Sequence, residues 1–221
     1  VHMIPVLAIC DPEITIGLPK SLTAACGVDA LTHCIEAYTV QLHQPITDAL
    51  ALKGISMIAE NLEKAYENGG DREARRNMMI ASTIGGMAFI SSNVGAVHAF
   101  AETVGAWFDT PHGVANSLFL PYIMEFNIPA CPERFADIAD AMGIEREESM
   151  SDEQYALKAV EYVKALNRKL NIPTIKEIKG ITEERFEAIA ERSANNVLSN
   201  DNARKITKED YLELLKKAYN E

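Results

Sequence analysis

The chain has 221 residues, 48% of them hydrophobic, which is enough for a substantial core and too apolar for a disordered segment. Its 21 Lys+Arg against 32 Asp+Glu give a net charge of −11, so nucleic acid is repelled unless a local basic patch outweighs the whole. No apolar run approaches the roughly 20 residues that cross a bilayer, and no charged-then-apolar leader is present, so membrane insertion and export are not expected and a cytoplasmic location is.

The opening Val-His-Met resembles an expression remnant, which sets His2 aside. The stretch "IPVLAIC" is short, β-branched and closed by Asp-Pro, and reads as one brief strand. From Ser21 the apolar period is helical, predicting helices over 21–40, 47–67, 71–91, 95–107, 112–126, 132–142, 151–170, 182–198 and 207–219. Thr182 reads as an N-cap, and Thr207 with Asp210 as a capping box. The basic spots at Arg75–Arg76 and Lys216–Lys217 sit among acids and read as solvated helix faces. Cys10, Cys26, Cys34 and Cys131 lack metal-ligand or disulfide spacing and read as reduced, buried packing residues. With no linker, repeat or low-complexity tract, residues 1–221 form a single all-α domain, a bundle of about nine helices with one short N-terminal strand. Gly27, Gly85, Gly86 and Gly95 lie in helical stretches, where glycine costs about 1 kcal/mol against alanine. Close helix approach or room for a ligand would account for them.

Two residues of "GVDALTHCIEAY" are foreign to a packing helix. Asp29 and His33 stand four apart, which puts them on one face with Cβ atoms roughly 6 Å apart. Of the other histidines, His43 lies in the polar loop "QLHQP" and reads as a surface residue. His98 occupies the apolar stretch "NVGAVHAFAETVG", where each ring nitrogen needs a partner. His112 follows Pro111 at the first turn of the next helix, so a helical hairpin can bring 98 and 112 together. Singly, each is a satisfied core or cap residue; together, one carboxylate and three imidazoles suit Fe(II) or Zn(II) better than Mg or Ca.

The segments "DPEITIGLP", "GVDALTHCIEAY", "GAVHAFAETVG" and "TPHGVANSLFLPY" resemble, in order and spacing, the successive signatures of the iron-containing (group III) alcohol dehydrogenases. The match is strong over residues 4–145 and weaker beyond. The resemblance implies the C-terminal domain of the dehydroquinate synthase-like fold, with Asp29, His33, His98 and His112 as ligands of Fe(II), or alternatively Zn(II). It also implies a metal that polarises the alcohol or carbonyl oxygen for hydride transfer with NAD or NADP.

Family members are about twice as long, with an N-terminal Rossmann-like half. This chain has no glycine-rich loop after a strand, since "IGGMAF" follows none, so the resemblance implies the metal-binding half alone, with the nucleotide-binding domain absent from this chain. Where many relatives carry a further histidine, this chain has Glu102. Three roles stay open for it: a proton-accepting or substrate-orienting group, a metal carboxylate, or a spectator. By the same resemblance Phe89 and Leu198 belong to the substrate pocket and Leu22 flanks the nicotinamide, and "SNDNARKIT" departs from the family's N-P-R segment at Ala203.

The expected partners are a small alcohol or aldehyde and the N-terminal nucleotide-binding domain, with homo-oligomerisation left open. Two competing readings stand beside the dehydrogenase: a non-catalytic helical docking or oligomerisation module, and a metal-dependent hydrolase with Glu102 as base.

Overall fold

The computed structural model describes residues 6–221. Among them are nine α-helices: α1 (Lys20–Thr39), α2 (Pro45–Glu67), α3 (Arg72–Ser92), α4 (Ala96–Phe108), α5 (His112–Asn127), α6 (Pro132–Ala141), α7 (Asp152–Lys169), α8 (Phe186–Ala194) and α9 (Lys208–Asn220). No single helix among the described residues is long and apolar enough to cross a membrane.

The helix starts follow local chemistry. Gln44 and Thr47 form a capping box with Pro45 at the first position of α2, and Asp71 accepts the Ala74 N–H at the start of α3. Ser151 with Gln154 and Thr207 with Asp210 close reciprocal boxes on α7 and α9. The helix expected over 182–198 is broken. A 3-10 turn at Glu183–Arg185, preceded by Thr182 without a side-chain cap, leads into α8, and a second 3-10 turn follows at Val197–Asp201. Asn196 makes the break, because its side chain accepts the Leu198 N–H and draws the backbone out of the helical ladder.

The strand expected over 4–10 is not found among its described residues, 6–10; residues 4 and 5 lie outside them, as does His2. A strand needs a neighbour with which to exchange hydrogen bonds. Val6, Leu7 and Ile9 instead lie exposed, and the side chain of Cys10 meets Thr83 Oγ1 at 3.4 Å.

α1 is the central helix, buried on nearly every side and packed against α2, α3 and α5. Its low amphipathicity follows, since a helix surrounded by neighbours has no solvent face to mark. α4 packs against α5 and α8, while α6 packs on α7 and α8 on α9. Phe100 of α4 stacks on Phe119 of α5 with ring centroids 3.6 Å apart.

Two expectations about side chains are corrected. Arg75 is buried rather than solvated: it donates to Thr23 Oγ1 at 2.8 Å and to the Gly69 carbonyl at 3.0 Å, tying α3 to α1. All four cysteines are free, but only Cys34 is buried; Cys10 and Cys26 are exposed and Cys131 is half-buried. Cys10 sits on the extended N-terminal segment and Cys26 on the open face of α1, so an apolar neighbourhood in sequence did not place either in the core.

The glycines divide. A Cβ on Gly27 would overlap Leu62, and one on Gly85 would stand 3.1 Å from Cys34 Sγ, so both permit close packing, whereas Gly86 has open space around it. The tightest approach to another backbone is at Gly113, in the first turn of α5, where a Cβ would lie 2.6 Å from the Ala25 carbonyl carbon of α1. That neighbour is backbone and cannot rotate away. Gly113→Ala is expected to force α5 off α1, lowering stability by about 1–3 kcal/mol; denaturant midpoints with unchanged m-values check this.

Candidate metal centre

Three buried helices supply one cluster. Asp29 and His33 face inward from α1, His98 comes from the first turn of α4, and His112 opens α5. The α4–α5 hairpin that joins the last two turns through Asp109 in the left-handed region (φ 53°), followed by Thr110 and Pro111. This turn sets the His98 and His112 rings 5.3 Å apart between centroids.

One ligand atom from each of Asp29, His33 and His98 lies within 4.8 Å of the others. His33 Nε2 and His98 Nε2 are 3.1 Å apart, and His112 Nε2 is 3.5 Å from Asp29 Oδ1. His112 thus joins the cluster through Asp29, from the outer side: its side chain is 49% exposed, while that of His98 is 6% exposed. The site is thus buried on the His98 side and open to solvent on the His112 side.

The donor set fits a transition-metal ion. A tetrahedral ion with bonds of about 2.1 Å holds its ligand atoms about 3.4 Å apart, and the two observed nitrogen–nitrogen and nitrogen–oxygen separations bracket that figure. Two imidazole nitrogens facing one another at hydrogen-bond distance can also share only one proton. Without it, two lone pairs converge beside a carboxylate, the arrangement that a cation relieves.

Neighbours hold these side chains in place. Phe89 of α3 stacks on His33, with centroids 4.5 Å apart and planes 18° from parallel. Asn116, fully buried on α5, directs its amide nitrogen to Asp29 Oδ1 at 2.5 Å, His112 Nε2 at 3.1 Å and His98 Nε2 at 3.2 Å. Its own Oδ1 is buried without a partner among the described residues. Glu36, one turn beyond His33 on α1, places Oε2 2.5 Å from His98 Nδ1.

Neither Asn116 nor Glu36 is among the residues singled out from sequence. Both carried a signal, however: Glu36 is a second acid on an otherwise apolar helix, and Asn116 lies four residues after His112, on the same helix face.

The remaining expected site residues lie around this cluster at different distances. Glu102, one turn after His98, is exposed and its carboxylate accepts from Asn196 Nδ2 at 2.6 Å. It is not in the group of mutually close ligand atoms. Leu198 is half-buried against the core on the 3-10 turn after α8. Leu22 is exposed at the start of α1, two turns before Asp29 on the same face. Between α1, α3 and the turn at Pro12–Thr15 lies a cleft of about 230 Å³, lined by Leu18, Cys26, Ala30, Met79 and Thr83 among others. His43 lies apart, its Nδ1 3.4 Å from Asp48 Oδ2.

A family profile described as "Fe-containing alcohol dehydrogenase family, C-terminal" matches residues 23–219. The chain is 42% identical to alcohol dehydrogenase 4 of Saccharomyces cerevisiae, over 99% of this chain and 56% of that protein. It is 40% identical to the 1,3-propanediol dehydrogenase of Klebsiella pneumoniae, over 98% of this chain and 56% of that one. A crystal structure of a 1,3-propanediol oxidoreductase superposes with a TM-score of 0.91 at 40% identity, covering 94% of this chain and 54% of the other. The chain therefore spans little more than half the length of the relatives it matches.

The site's electrostatics divide its histidines. Burial, then the adjacent His98, pull the His33 pKa down to about 4, against the opposing pull of Asp29 and Glu36. Burial is also the largest influence on His98 and disfavours its charge, but the hydrogen bond and charge of Glu36, with Asp29 and Glu102, outweigh it and leave the pKa raised. In the metal-free protein His33 is expected to titrate near pH 4, against 6.5 for an ordinary histidine. The unfolded chain then takes up this proton first. The stability due to neutral His33 is thus complete above about pH 6.5 and declines as pH falls toward 4. A ¹H–¹⁵N titration of the ring, with denaturant midpoints for wild type and His33→Asn across that window, checks the position and the sign.

Proposed function

The chain belongs to the Fe-containing alcohol dehydrogenase family, as its C-terminal part, and from that premise we propose that it is the metal-binding part of an NAD(P)-dependent dehydrogenase of small primary alcohols or aldehydes. The observation that carries this reading is the convergence of Asp29, His33 and His98 on one point, with His112 at its rim. The relatives' names, alcohol dehydrogenase and 1,3-propanediol dehydrogenase, support the substrate class.

In this reading Asp29, His33, His98 and His112 hold Fe(II), with Zn(II) as the alternative that ligand affinity alone would favour. When bound, the ion supplies Lewis-acid polarisation of the carbon–oxygen bond that gains or loses hydride. The residues of the chain do the rest. Phe89 fixes the His33 ring by stacking and walls the rim with an apolar surface that excludes water. Leu198, on the turn that also carries Asn196, contributes to the substrate pocket. Glu102, held by Asn196, orients the substrate or accepts its hydroxyl proton. Leu22 packs beside the nicotinamide, which is held by a separate N-terminal nucleotide-binding domain. Such a domain would also cover the exposed Leu7, Ile9, Ile14, Met87 and Ile90. Four free cysteines suit a reducing, cytoplasmic setting.

Purified without chelator, the protein is expected to carry about one Fe or Zn per chain, and His98→Ala to carry none, by elemental analysis. NAD(P)-linked aldehyde reduction is expected only when the nucleotide-binding domain is supplied, because hydride transfer needs the nicotinamide held against the substrate carbon. Folded wild-type protein that takes up neither Fe(II) nor Zn(II) anaerobically would overturn the reading.

A further inference from the structure

Glu36 is a carboxylate in the interior of a buried helix, 3% exposed, and no lysine or arginine among the described residues pairs with it. Burial of that kind is strongly unfavourable unless both oxygens find donors. They do, and the two partners are neighbours in sequence. Oε1 accepts the Val97 N–H at 2.8 Å, and Oε2 faces His98 Nδ1 at 2.5 Å. Val97 lies in the first turn of α4, where backbone N–H groups have no partner within the helix and the helix dipole favours negative charge. The carboxylate is therefore fixed by one bond and acts through the other.

A carboxylate can only accept hydrogen bonds, so the ring nitrogen facing it must carry the proton. For a neutral imidazole this leaves Nε2 bare. Nε2 is the atom that points into the cluster, 3.1 Å from His33 Nε2 and 3.2 Å from the Asn116 amide nitrogen. We infer that Glu36 is the positioning residue of the metal centre: it holds His98 in the Nδ1–H tautomer and so presents Nε2 as the ligand atom. The inference rests on the metal-centre reading for its purpose, while its tautomer claim stands on the hydrogen bonds alone. Outer partners of this kind typically change metal affinity by 10–100-fold.

Glu36→Gln separates this role from simple capping of α4. An amide has one accepting and one donating end. If its oxygen keeps the Val97 N–H, its NH₂ faces His98 and forces that ring into the Nε2–H tautomer, closing the ligand atom. If the amide turns round, His98 is kept but NH₂ meets the Val97 N–H. Helix capping and ligand presentation cannot both survive.

The experiment has two arms. In metal-free wild type at alkaline pH, where the ring is neutral, ¹⁵N shifts should show His98 protonated at Nδ1 and bare at Nε2; a proton on Nε2 overturns the inference without any variant. In Glu36→Gln, shown folded by circular dichroism, Fe(II) and Zn(II) dissociation constants should rise 10–100-fold with a shift toward the Nε2–H tautomer. Unchanged affinity with an unchanged tautomer would leave Glu36 a cap only and overturn the inference. Wild type that binds neither ion while His98 still shows bare Nε2 would sink the metal reading and support the tautomer claim.

Discussion

A helix buried on almost every side obliges its neighbours to match each polar group it carries. α1 has three such groups facing the cluster, at positions 29, 33 and 36, and each is answered by a different element. Asn116 of α5 donates to Asp29, Phe89 of α3 covers His33, and the start of α4 meets Glu36 through Val97 and His98. Had α1 been an ordinary surface helix, water would have satisfied all three and no particular placement of α4 or α5 would follow. Burial converts three polar side chains into instructions for three helices. Gly113 belongs to the same constraint, since only a residue without Cβ lets α5 come near enough to α1 for His112 and Asn116 to reach Asp29.

Most of the fold is legible in the sequence because most of it is helical and punctuated. The apolar period locates all nine helices among the described residues, and the Thr207–Asp210 box is found as read. The failures have physical causes. The segment 6–10 has strand chemistry but no neighbouring strand, and pairing is not a local property. The break at Asn195–Asn196 depends on a side chain capturing the backbone, which an apolar count does not register. Arg75 reads as solvated from the acids around it in sequence, yet the carbonyl of Gly69 and the hydroxyl of Thr23 make an interior site for it.

The cluster was legible for a different reason. Carboxylates and imidazoles are chemically out of place in apolar helices, so Asp29, His33 and His98 stand out before any geometry is known. Residues that support them do not stand out. Glu36 and Asn116 each read as one polar residue in a helix, and their importance lies in distances across 62 and 87 residues of chain to His98 and Asp29. The outlying assignments, Leu22, Leu198 and Glu102, came through likeness rather than through chemistry peculiar to their positions. The structure gives them surroundings, half-buried for Leu198 and exposed for Leu22 and Glu102.

The contact between the rings of His33 and His98 joins positions 65 residues apart. A cation seated between them would act as a reversible cross-link, in the manner of a disulfide that chelation rather than reduction can open. Loop-closure entropy grows only slowly with span, so so long a loop is no great burden to close, but little local structure helps to close it. Thermal resistance would then depend on free metal concentration.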